Sequence, residues 1–269
     1  RSMKIEELRK NPHLSASSIE SYIECSLSYR FSRIDSLKPE FLSDNMEFGK
    51  CIHQALADFH QERMMGTILT GDQLQDRFVY YWTIRASDNE EIRYRPENSF
   101  ESFLEQGKAL LETYHDSFSD HTTVLAIEEP FSFTIENLPV PIIGIMDLVE
   151  EDEQENIIIT DFKSAAKSYT DNDVNKNPQL TLYQLACRSN GYRDRNIILK
   201  LDCLIKTKTP QFKRYYTARN RMDEIKTEKK IIQVWKGITK GVFIPNDTSW
   251  KCNECFYKTA CNDWYRQAA

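Results

Sequence analysis

Asp161 and Lys163 are the residues to begin with, because an acid and a base two positions apart at the end of a buried strand can do chemistry together. They close the stretch "NIIITDFKSA" (156–165), whose β-branched run has the composition of a buried strand. Side chains alternate along a strand, so Asp161 and Lys163 share one face while Phe162 turns to the other. Upstream stands "GIMDLVE" (144–150), and a meander pairing of the two segments brings Asp147 beside Asp161. Two carboxylates side by side repel, so one takes up a proton or a cation sits between them. Hard divalent ions such as Mg2+ or Mn2+ draw oxygen ligands from such pairs. The plain structural alternative is a salt bridge from Lys163 to either aspartate at a strand end.

Three further groups have suggestive spacing. In "NPQLTLYQLA" (177–186), Gln179 and Tyr183 lie one helical turn apart and so share a face. The alternative is an amphipathic helix with incidental polar residues. His53, in "FGKCIHQAL" (48–56), follows Gly49 by about one turn; alone, such a histidine is more often structural than a ligand. "CNECFYKTAC" (252–261) sets Cys252, Cys255 and Cys261 in a C-x2-C-x5-C pattern. Three thiols this close point to a metal or iron–sulfur site lacking its fourth ligand locally, and Cys25 is the candidate for it. Cys51, Cys187 and Cys203 sit singly in apolar segments and read as buried hydrophobes.

The elements that must hold these residues follow from periodicity. Ser17 and Glu20 have the form of a capping box that opens a helix to about Arg30, with Cys25 on it. Helices are predicted over Met46–Met64, Leu74–Trp82 and Phe100–Phe118, the last two separated near Asp88–Pro96, which together make a helical lobe. The period then changes, and Val124–Ile127, Phe131–Ile135, Ile142–Val149 and Ile157–Phe162 read as strands, the first two broken by Pro130. Pro178 opens a helix to about Asn190, followed by strands Ile197–Ile205 and Phe212–Thr217 and a helix over Asn220–Lys240. This order implies an α/β (α+β) fold with a mixed central sheet flanked by helices. The chain is taken as a single domain over 1–269, with 56–120 as the helical insertion lobe and 241–269 as a cysteine region packing against 15–31. Arg1 and Ser2, ahead of Met3, are left out of the reading.

Bulk properties narrow the function classes. The net charge of −6 argues against a surface that binds nucleic acid throughout. The cations between Arg188 and Lys230 form either a local basic face or an ordinary solvated surface. No apolar run is long enough to span a membrane and no signal-peptide core follows the amino terminus, so a cytoplasmic protein is expected. In that compartment seven cysteines are not a disulfide framework.

Taken in order, "SASSIESYIECSLSYRF", "GKCIHQAL", "GIMDLVE", "IIITDFKSA", "QLTLYQLA" and "CNECFYKTAC" resemble the RecB-like branch of the PD-(D/E)xK nuclease superfamily. The pattern is most similar to the iron–sulfur exonucleases typified by the AddB nuclease domain and the CRISPR-associated adaptation nucleases. That resemblance implies a restriction-endonuclease-like core and a metal-dependent DNA exonuclease acting on single-stranded or free-ended DNA, with room for a helicase or adaptation-complex partner. It further implies His53, Asp147, Asp161 and the Phe162 carbonyl as ligands of Mg2+ or Mn2+, and Lys163 as the residue that orients or activates water. Gln179 and Tyr183 match a QxxxY motif that supports the site and contacts DNA. Cys25, Cys252, Cys255 and Cys261 would hold a 4Fe–4S cluster, with Zn2+ as the alternative. Ser26 stands where a proline usually follows the first cluster cysteine. Glu128 or Glu129 could add a further carboxylate, but the pattern places neither. A non-catalytic DNA-binding scaffold module is the competing reading; it leaves two buried carboxylates without a purpose.

Overall fold

A computed structural model describes residues 4–267, so that Arg1 and Ser2 lie outside the described residues. The chain opens with α1 (Ile5–Leu8), α2 (Ala16–Glu24), α3 (Ser26–Tyr29) and a π-helical turn over Arg30–Ile34. The two-residue strand β1 (Leu42–Ser43) leads into α4 (Asp44–Met64) and α5 (Gly71–Ala86). The equally short β2 (Ile92–Arg93) pairs in parallel with β1, and α6 (Phe100–Asp116) follows. Then come β3 (Thr123–Phe133), β4 (Ile142–Glu151), β5 (Ile157–Ala165), α7 (Asp171–Asn175), α8 (Pro178–Ser189), β6 (Ile197–Ile205), β7 (Gln211–Thr217) and α9 (Arg221–Thr239). A short 3-10 turn at Trp250–Glu254 and α10 (Lys258–Gln267) complete the described chain.

The strands β3 to β7 form one sheet in chain order, antiparallel throughout except for the parallel pair β5–β6. Each face is covered. Helices α8 and α9 pack on one side, where Leu180, Leu182, Ile231 and Val234 meet Val149, Ile157, Ile159 and Leu201. Helices α4, α5 and α6 cover the other, where Ile52, Leu56, Phe59 and Leu110 meet Leu148, Phe162 and Leu204. The run Ile157–Ile159 is apolar at consecutive positions because both faces of β5 are buried. Helix α6 approaches α5 so closely that a Cβ on Gly107 would lie 2.1 Å from the Phe78 ring.

A buried ionic knot fastens α4 to the sheet. Arg63 in the last turn of α4 reaches Glu150 of β4 at 2.7 Å, and Lys200 of β6 reaches the other Glu150 oxygen at 3.0 Å. Burial alone would raise the Glu150 carboxyl, but Lys200, His60, Thr122 and Arg63 outweigh it and hold it down to about 2.

Several boundaries differ from expectation for identifiable reasons. The cap of α2 is Ser15, in a reciprocal box with Ser18, and not Ser17 with Glu20. Cys25 does not lie within a long helix; its backbone is extended (φ −156°, ψ 100°), ending α2 and starting α3. Pro130 does not divide two strands, because β3 is an edge strand where a missing N–H costs no ladder bond. Several cations of 188–230 are engaged inside the molecule. Arg188 and Arg221 pair with Glu224, Arg195 with Glu151, Lys200 with Glu150 and Arg214 with Asp202. Arg219 is buried among backbone carbonyls. Among the described residues, no helix is long and apolar enough to cross a membrane.

Candidate active site

The β4–β5 register pairs Leu148 with Thr160, and one step further along the ladder Asp147 and Asp161 come face to face. The ladder ends there. The backbone N–H of Phe162 donates instead to Asp147 Oδ2 at 2.9 Å, which anchors that carboxylate across the strand ends. From α4, His53 sets Nδ1 3.5 Å from the same oxygen. His53 reaches the sheet because Ile52 and Leu56, its neighbours on the helix, are fully buried against it.

Asp161 is wholly buried, whereas the Lys163 side chain keeps 27% of its exposure and that of Asp147 18%, so the site opens on the Lys163 and Asp147 side. The Lys163 ammonium donates to Asp161 Oδ1 at 3.1 Å and to Gln179 Oε1 at 3.1 Å. Gln179 in turn donates to the Tyr183 hydroxyl at 2.6 Å, and Tyr183 donates to Asp161 Oδ1 at 3.5 Å. Pro178 at the start of α8 and the Asn177 cap fix this helix end against the strand ends. The Gln179–Tyr183 spacing therefore closes a ring through Lys163 and Asp161.

Charge in this ring is unevenly compensated. Burial, and then the Asp161 charge, push the Asp147 carboxyl up to about 8. Burial works against the Lys163 ammonium, but Asp161 overrides it and the lysine stays charged. Burial lowers His53, which leaves a neutral imidazole with a lone pair to offer. Burial also holds the Tyr183 hydroxyl in its protonated form, as a donor. Asp161 Oδ2 lies 2.9 Å from the Lys163 nitrogen, yet outside hydrogen-bond alignment, and it is buried without a hydrogen-bond partner.

As the side chains stand, no group of three or more His, Cys, Asp or Glu among the described residues is set to hold a metal ion. The donor chemistry nonetheless fits a hard divalent cation: two facing carboxylates, one of them with an oxygen that makes no hydrogen bond, and a neutral imidazole. A cleft of about 530 Å3 leads to this edge, lined by Asp147, Gln179 and Tyr183 and also by Arg9, Arg33 and Glu20. Glu20, free of the predicted capping role, was missed by the sequence reading. Its carboxyl is raised by burial against the opposing charge of Lys163. Arg9 and Arg33 were missed too, since neither lies in a motif.

The four cysteines line a second cleft, of about 810 Å3. Cys25, Cys255 and Cys261 pack around Leu27, Phe31 and Tyr257, and burial raises the Cys255 and Cys261 thiols. Among the bonds that join this region to the N-terminal helices, Tyr22 donates to the Val242 carbonyl at 2.7 Å, Asn246 to the Glu24 carbonyl at 2.7 Å and the Ile244 N–H to the Ser26 hydroxyl at 2.6 Å.

Comparison with known proteins agrees with this architecture. No curated protein matches the chain. The crystal structure of a candidate exonuclease from Eubacterium rectale is similar in fold, with a TM-score of 0.57 at 13% identity over 94% of this chain and 93% of that one. The crystal structure of SSO0001 aligns over 96% of this chain and 95% of its own, at 11% identity, but its TM-score of 0.35 carries no weight. The sequence profile of the PD-(D/E)XK nuclease superfamily matches residues 13–262. That span takes in both the mixed sheet flanked by helices, which is a restriction-endonuclease-like core, and every residue of the edge where Asp147, Asp161 and Lys163 meet. The chain therefore belongs to the PD-(D/E)XK nuclease superfamily, and it is a nuclease.

Proposed function

We propose that the protein is a divalent-metal-dependent deoxyribonuclease, an exonuclease that hydrolyses phosphodiester bonds at single-stranded DNA ends in DNA repair or recombination, or in phage- or CRISPR-related processing. The observation that carries this reading is the strand-end arrangement in which Asp147 faces Asp161 while Lys163 and a neutral His53 flank them. His53, Asp147, Asp161 and the Phe162 carbonyl would hold Mg2+ or Mn2+. When bound, such an ion acidifies water and neutralises phosphate oxygens, as phosphodiester hydrolysis at neutral pH requires. Lys163 keeps a positive charge where negative charge develops on the phosphate and orients the attacking water. Gln179 and Tyr183 hold Lys163 and Asp161 in register, and the half-buried Gln179 stands at the cleft wall where it would meet the DNA strand. A cleft of about 530 Å3 at this edge is in the size range that takes a nucleotide-scale occupant.

In the same reading, Cys25, Cys252, Cys255 and Cys261 carry a 4Fe–4S cluster that staples the N-terminal helices to the end of the chain, with Zn2+ as the alternative occupant. The parts are one nuclease domain, a helical lobe at 56–120 and the cysteine region at 241–269. The setting is cytoplasmic, with a helicase or an adaptation complex as partner.

Two experiments test these assignments. End-labelled linear, circular, single-stranded and double-stranded DNAs are incubated with Mg2+ or Mn2+. Release of mononucleotides from linear single strands, with circles left intact, supports the exonuclease reading; cutting of circles overturns it. For the cysteines, a brown protein absorbing at about 400 nm identifies iron–sulfur, and a colourless protein with one zinc identifies the alternative. Cys255→Ala should lower the melting temperature and remove the bound metal.

A further inference from the structure

Strand β3 leaves strand geometry at Glu128, whose φ of +47° lies in the left-handed region that a non-glycine residue enters only at an energetic cost. The register fixes what it faces. Ile127 lies opposite Leu148 and Glu129 opposite Met146, so Glu128 stands across the ladder from Asp147 without pairing. The same irregularity appears on β4, where Met146 joins the core under α8 while Leu148 joins the core under α4, although strict alternation would put both on one face.

Glu128 is exposed, and among the described residues its carboxylate makes no hydrogen bond or ion pair. Its charge is felt at His53 and at Asp147. The charge of the neighbouring Glu129 is felt instead at Tyr192. A strained residue persists where the surrounding structure holds it, and such residues gather at ligand sites. A second feature also points to a ligand: one carboxylate oxygen of the wholly buried Asp161 makes no hydrogen bond and is met only by the Lys163 ammonium at 2.9 Å, an arrangement that leaves it a lone pair for a cation.

We propose that Glu128 is a further acidic residue of the divalent-cation site, held over Asp147 from the edge strand, so that the cation meets three carboxylates and one imidazole. The inference rests on the nuclease reading for the identity of the cation. It assigns a purpose to backbone strain at a residue that stands opposite Asp147 on the edge strand.

The test is a titration of Mn2+ into the intact protein, followed by the electron paramagnetic resonance signal of free Mn2+ and without DNA. Wild type is compared with Glu128→Gln, Glu128→Gly and Glu129→Gln. The expected result is a loss of Mn2+ affinity of roughly 10- to 100-fold in both Glu128 variants, the range seen when groups supporting a metal site are removed. Glu129→Gln should bind as wild type does. Glu128→Gly should also melt at a higher temperature than wild type in the absence of metal, because glycine relieves the strain. Glu128→Gln binding Mn2+ within about twofold of wild type, inside the scatter of context effects and well short of the expected loss, overturns the inference. Wild type that binds no Mn2+ overturns the nuclease reading itself, and the role of Glu128 with it.

Discussion

Lys163 is the residue on which the two accounts of the site divide. As a mere strand-end salt bridge it would matter for folding and not for rate. Its ammonium, however, also holds Gln179 and faces the open side of a wholly buried Asp161. Lys163→Ala should therefore lower kcat by roughly 10²- to 10³-fold, the usual cost of removing one group that stabilises developing charge. Mn2+ binding, measured by titration, should remain. The pairing of Asp147 with Asp161 was legible in the sequence because a short acidic turn between two apolar runs forces a meander, and the register follows from counting outward from the turn. Glu128 was not legible, since its position depends on a backbone twist that leaves no mark in residue type. Glu20 was hidden by a competing explanation: it fitted a capping box, and only the choice of Ser15 as the cap released it.

At the scale of elements, what could be read was local and what could not be read was tertiary. The run Ile197–Ile205 was predicted with its observed ends, because nine residues of mainly β-branched and apolar character admit no other period. The π turn after Tyr29 and the extended Cys25 escaped, because both depend on packing of the chain's two ends against each other. The knot of Arg63, Glu150 and Lys200 escaped as well, for it joins residues 87 and 50 positions apart. Two predictions belong here. Gly107→Ala should destabilise the protein by about 1–3 kcal/mol in urea unfolding, since Phe78 is fully buried and cannot yield to the added methyl group. Glu150→Gln leaves Arg63 and Lys200 uncompensated in a buried setting and should cost about 3–5 kcal/mol at pH 7. Because the folded carboxyl sits at about 2, below its ordinary 4.5, its contribution is complete above pH 4.5 and is lost as the pH falls toward 2. The difference between wild type and Glu150→Gln should accordingly shrink between those two values, and a difference independent of pH would contradict the ionic account.

For the whole molecule, a net charge of −6 ceases to count against a nucleic-acid substrate once the site is in view. Phosphates would meet a divalent ion, Lys163 and the two cleft arginines, while Arg188, Arg195, Lys200, Arg214 and Arg221 of the basic stretch are engaged in internal ion pairs. The sheet joins two cores, and its open edge lies where helices α4 and α8 both reach it, so His53 and Gln179 arrive from opposite layers. The central claim is that this edge hydrolyses DNA with a divalent cation held by Asp147 and Asp161. The most direct measurement is the rate of nucleotide release from linear single-stranded DNA with Mn2+, for wild type, for wild type with chelator and for Asp161→Asn, each variant matched for melting temperature. The account predicts activity in the first and none above background in the other two; an Asp161→Asn protein that cleaves at the wild-type rate would contradict it.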